Sequence, residues 1–155
     1  MAEALRRHMD AEVAELRSLI DGADSLPGLA ARFEHWGSTF HTRTDWALVS
    51  VELQLLASRN RAFASDWQRI QARHHAVVTE LVGSIFALAG RQPPLGTDEI
   101  AWLLKMLVQG VALRNEAAGE MAARLDALGL VRRLFRVLIA AGRSGGEPSE
   151  ERPRS

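Results

Sequence analysis

The chain has 155 residues, and its 19 lysines and arginines balance 19 aspartates and glutamates, so it carries no formal net charge. That length fits one domain with a sizeable core, and the even charge, with no dense basic cluster, argues against a free-standing nucleic-acid binder. The absence of cysteine excludes disulfides and thiolate metal sites. The longest apolar runs fall far short of the roughly 18 residues of a membrane span, and no charged-then-apolar leader opens the chain, so a soluble cytoplasmic protein is expected. Arginine far outnumbers lysine (Lys105 alone) and alanine is abundant, a bias of GC-rich bacterial genomes.

From Ala2 to Ile20, Leu5, Met9, Val13, Leu16 and Ile20 form one apolar stripe, and Asp21-Gly22 ends this first helix, with Gly22 a left-handed cap. Ser25-Leu26-Pro27 starts the second, because proline fits only a first turn. It carries Leu29, Phe33, Trp36 and Phe40 before His41-Thr42-Arg43-Thr44 interrupts it. Thr44-Asp45 begins a third helix with Trp46, Val49, Leu53 and Leu56 on one face and Leu48, Val51 and Leu55 on another, a pattern of burial on two sides. Asn60 caps a fourth helix that nothing breaks before Ala89, about 28 residues and about 42 Å at 1.5 Å per residue. Phe63, Trp67, Ile70, His74, Val77, Leu81, Ile85 and Leu88 recur along it at three- and four-residue intervals. A rod of that length spans a small domain, so the other segments are expected to pack around it.

The two prolines and two glycines of Gly90–Gly96 make a loop. Thr97 is the expected cap of a fifth helix, with Asp98 and Glu99 at its positive end. This helix is apolar almost all round, from Ile100 to Leu113. Gly119 and Gly129 blur the next boundary, and a last helix holds Leu130, Leu134, Val137, Leu138 and Ala141. Residues 143–155 contain no large apolar residue and are expected to be a disordered tail. No segment alternates with a strand period, so the fold class is all-α, with one domain over residues 1–142.

Chemistry-bearing patterns are mostly missing. There is no nucleophile elbow and no phosphate-cradling glycine loop at a helix start. Among His8, His35, His41, His74 and His75, none pairs with another at i and i+4, so no helical zinc motif and no metal site is expected. The reading is a non-enzyme without cofactor. His74 on the apolar stripe is either a core histidine with satisfied nitrogens or a polar handle inside a cavity. Glu52 poses the same choice between reaching solvent or Arg59 and lying inside at a high charge cost. The aromatics Trp36, Phe40, Trp46, Phe63, Trp67, Phe86 and Trp102 are core by default, with enough bulk to leave gaps between helices. The fifth helix is apolar on more sides than a six-helix monomer covers. Gly110 allows close approach beside Leu103, Leu107 and Arg114, so a twofold homodimer is expected there. A helix-turn-helix over Leu29–Phe40 is rejected, since its second helix has almost no basic residues to meet phosphates.

Glu52–Arg61, the long helix to Ala89-Gly90, the Pro93-Pro94 loop and Leu104–Leu113 resemble the regulatory half of TetR-family transcriptional regulators over roughly Ala2 to Ala141. The resemblance implies a TetR C-terminal-like bundle of about six helices that dimerises through a four-helix interface. It makes residues 1–21 the linker helix below a DNA-binding head, and helices two to four the walls of an effector pocket. On the inward stripes, Trp36, Phe40, Trp67, Ile70, His74, Met106 and Gln109 would bind a small, largely apolar effector. Leu103, Leu107, Gly110, Arg114, Leu130, Leu134, Val137 and Leu138 would build the homodimer. The chain opens inside the linker helix, so DNA contact is expected only through a helix-turn-helix outside it. The expected function is effector sensing and dimerisation in a repressor. The alternative is a headless dimer that acts by protein–protein contact with a full-length regulator.

Overall fold

The computed structural model describes residues 2–37, 41–118 and 125–144. Among them run six helices: α1 (Ala2–Asp21), α2 (Leu26–Gly37), α3 (His41–Arg59), α4 (Arg61–Leu88), α5 (Thr97–Ala117) and α6 (Ala127–Ala141). Two two-residue strands, β1 (Arg91–Gln92) and β2 (Arg143–Ser144), complete a fold that is all-α in its core. No helix of the described residues is long and apolar enough to cross a membrane.

The 28-residue α4 is the central rod and packs against α1, α2, α3 and α5. Its start is set by Asn60, whose extended backbone leaves Oδ1 free to accept from the amides of Ala62 at 3.1 Å and Phe63 at 3.3 Å. The chain leaves α4 through Gly90 at φ +63°, a left-handed conformation that costs glycine nothing. Three apolar clusters form along the rod. Val77, Leu81 and Ile85 meet Val13, Leu16 and Leu19 of α1 and Leu29 of α2. Val82 and Phe86 meet Ile100, Ala101 and Leu104 of α5 and Val131 of α6. Trp67 meets Met9 and Leu53. Phe86, Ile100, Val77 and Val82 are sealed from solvent, and full burial of such a side chain stabilises by about 1.5–3 kcal/mol.

Several element ends differ from expectation. Gly22 is not left-handed, since Gly90 is the only positive-φ residue among those described. Instead the Arg32 guanidinium lies over it and donates to the Ser18 carbonyl at 3.3 Å, a cation at the negative end of α1. A Cβ at position 22 would fall 2.3 Å from that guanidinium. α3 begins at His41 rather than at Thr44. Thr97 is the first residue of α5, not its cap; Gly96 holds the cap position, and its amide donates to Glu99 Oε2 at 2.8 Å. A glycine cap has no side chain to offer, so the first-turn carboxylate reaches back in its place.

The α5–α6 boundary rests on side-chain bonds. Asn115, buried near the end of α5, donates to the Leu125 carbonyl at 3.0 Å and accepts from the Leu125 amide at 2.8 Å. Asp126 then caps α6 by accepting from the Gly129 amide at 3.0 Å, which places Gly129 in the first turn. After α6, Arg143 and Ser144, expected in a disordered tail, pair antiparallel with Gln92 and Arg91. Arg91 Nη1 adds a bond to the Gly142 carbonyl at 3.2 Å, and a Cβ on Gly142 would come within 2.6 Å of the Gln92 carbonyl oxygen. Two residues of ladder are too short for a sequence period to announce them.

Candidate functional site: a cavity where the three clusters meet

A cavity of about 160 Å³ opens where the three apolar clusters meet, and all six helices contribute to its wall. α4 presents Gln71, His74, Val78 and Leu81, and α5 presents Leu104, Lys105, Val108 and Gln109. Both sets follow helical spacing, so each is one stripe of its helix. Met9, Glu12 and Leu16 of α1 face them, with Phe33 and Trp36 of α2 and Ser50 of α3. Ala127, Leu128, Val131 and Phe135 of α6 close the far side.

The surface is largely apolar, and its polar groups come as pairs. His74 Nε2 lies 3.5 Å from Glu12 Oε1, with both side chains less than a fifth exposed. A carboxylate only accepts, so any hydrogen bond across that gap is donated by the ring. His74 Nδ1 is buried with no hydrogen-bond partner in the protein. Lys105 Nζ donates to Gln71 Oε1 at 3.0 Å and sits 4.8 Å from the centroid of the Trp102 ring. Burial pushes the Lys105 ammonium below its ordinary pKa, and the negative charge of Glu12 opposes that shift. Gln109 Nε2 donates to Ser50 Oγ at 3.4 Å.

The next residue along α4 does a different job. His75 Nε2 meets Asp98 Oδ1 at 2.6 Å, and its ring packs on Trp102 at 4.5 Å between centroids. It therefore fastens α4 to the first turn of α5. A second, more open groove lies between α1 and α2, edged by His8, Glu12, Glu15, Arg32, His35 and Trp36. Trp36 Nε1 donates there to Glu15 Oε2 at 3.2 Å. Among the described residues no three histidines, aspartates or glutamates are grouped to hold a metal ion.

Of the effector-binding residues expected from sequence, Trp36, His74 and Gln109 line the cavity. Trp67 does not. It is buried in the cluster with Met9 and Leu53, its ring 6.2 Å from that of Phe63, and Ile70 packs on the same cluster. Met106 is 51% exposed on the outer side of α5, and Phe40 lies outside the described residues. The stripe keeps nearly one face, but a rod of 28 residues passes different neighbours along its length. The first turns of α4 thus face α3, and the middle turns face the cavity. Glu12, Ser50, Gln71 and Lys105 were missed. Lys105 had a signal: it is the only lysine of the chain, set within the apolar run of α5 from Ile100 to Val108.

The expected dimer residues fall into two groups. Leu103 is 48% and Val137 65% exposed, and Gly110 and Arg114 are also exposed. Leu103, Met106, Gly110 and Leu113 follow one stripe on the outer side of α5, and Val137 stands exposed on α6. Leu107, Leu134 and Leu138 instead pack partly against the Val82–Phe86 cluster, and Leu130 is half-buried. Glu52 reaches solvent. Comparison of the chain with family models, with curated proteins and with solved structures gives no match.

Proposed function

We propose that this chain is the effector-sensing and dimerisation part of a TetR-like transcriptional regulator, with no catalytic activity of its own. The cavity carries the reading. One of its walls is α1, through Met9, Glu12 and Leu16, and α1 is the helix that the resemblance makes the linker to a DNA-binding head. A guest that prefers one placement of α1 over another shifts the population between the two, and it does so only by its difference in affinity. Trp36, His74 and Gln109 are the guest contacts in this reading. The exposed apolar stripe of Leu103, Met106 and Leu113 on α5 supports the second half of the proposal. Such a surface is covered most economically by the same surface of a second copy. DNA is then reached through a helix-turn-helix outside these residues.

The chain lacks cysteine, so Arg17→Cys on the exposed side of α1 takes a spin label at one position per subunit. Pulsed electron resonance then measures the distance between the two α1 helices of a dimer. Compounds that raise the melting temperature, because they bind only the folded state, are expected to change that distance. A distance unchanged at saturation removes the regulatory reading, and a monomer gives no distance at all. A broad apolar library that never shifts melting removes the pocket.

A further inference from the structure

We propose that the cavity takes a small monocarboxylic acid, with an apolar body of about one ring and its carboxylate held by Lys105. This deepens the effector reading above and rests on it. Size comes first. An apolar cavity of about 150 Å³ accepts benzene, and the cavity here is about 160 Å³, room for one ring and a compact head. Phe33, Trp36 and Phe135 supply aromatic walls for that ring.

Charge selects the head. The polar wall contains one carboxylate, Glu12, and one ammonium, Lys105. Glu12 is faced by the His74 ring. Lys105 has only neutral neighbours at contact distance: the Gln71 amide oxygen and the Trp102 ring. Among the described residues no carboxylate comes within ion-pair reach of its Nζ. An ammonium has three hydrogens to donate, and Gln71 accepts one. Glu12 acts on this half-buried cation only from beyond contact distance, and an anionic guest in contact offsets the remaining cost of its burial directly. A neutral guest leaves the cation as it was, while a cationic guest adds a second positive charge beside it. The Gln109 amide and Ser50 hydroxyl add further donors on the same wall, again complementary to an acceptor-only head.

Titration calorimetry with benzoate, benzyl alcohol and benzylamine at one pH and matched ionic strength tests the assignment, on the wild type, Lys105→Met and Lys105→Arg. Benzoate is expected to bind the wild type at least about tenfold more tightly than either of the others. Lys105→Met should abolish that preference while keeping benzyl alcohol, whose retained binding also reports an intact fold. Lys105→Arg should keep the preference. Benzyl alcohol or benzylamine binding the wild type as tightly as benzoate overturns the proposal and leaves the pocket standing. So does a preference for benzoate that survives Lys105→Met. No binding by any of the three up to about 10 mM, a threshold for even weak association, overturns both the acid assignment and the pocket.

Discussion

Trp67 and Trp36 show how much one helical turn decides. Trp67 is sealed among Met9, Leu53 and Phe63, so Trp67→Ala should destabilise the fold by about 3–5 kcal/mol in urea titration. Trp36 is partly exposed on the cavity wall. Its replacement by alanine should cost less and instead abolish the thermal shift caused by a bound guest. Lys105 gives a prediction about pH. Its ammonium is depressed below its ordinary 10.5 by burial, so the unfolded chain holds that proton more tightly than the folded one. Stability from this group therefore rises as pH climbs from the depressed value towards 10.5, and below that window the group only subtracts. Lys105→Met should raise the melting temperature at neutral pH and flatten the alkaline rise, read by melting curves from neutral to alkaline pH. From sequence alone His74 was either core or handle, because periodicity gives a residue's face and not its partner. Glu12, the group across from it, lies 62 residues earlier, and no local pattern connects the two.

The elements were more legible than their ends. α4 could be read from Asn60 onward because a cap, an uninterrupted apolar period and a terminal glycine all agree there. Gly22 and Thr97 misled because the bond that ends the helix comes from elsewhere, from Arg32 in one case and Glu99 in the other. The exposed stripe of α5 also followed from composition, as apolar residues in excess of what six helices can cover. The leucines of α5 differ in what they can test. Leu103→Glu places a charge on an exposed apolar surface and should reduce a sedimenting dimer to the 17.1 kDa monomer with the fold intact. Leu107→Glu should also loosen the cluster around Val82 and Phe86, against which Leu107 packs. The β1–β2 clasp gives a separate expectation. Gly142→Val drives a side chain into the Gln92 carbonyl, and faster proteolysis after α6, with little change in melting temperature, would report its release.

At the scale of the molecule, charge neutrality and the all-α class came from composition and period, while the cavity did not. A void is a failure of several stripes to meet, and no single stripe records it. Neutrality carries its own prediction: without a net positive charge to neutralise phosphates, these residues should give no sequence-specific shift of duplex DNA even at low salt. A cavity walled by every helix also constrains how the protein breathes. Any excursion that lifts one helix away opens the cavity and ejects its guest, so a guest stabilises the closed molecule against each partial opening by the same increment. Amide hydrogen exchange in the empty protein should show a spread of opening energies, lowest at the element ends. With the cavity filled, amides in all six helices that exchange through such openings should slow by one common factor, whereas a ligand gripping a single helix would slow that helix alone.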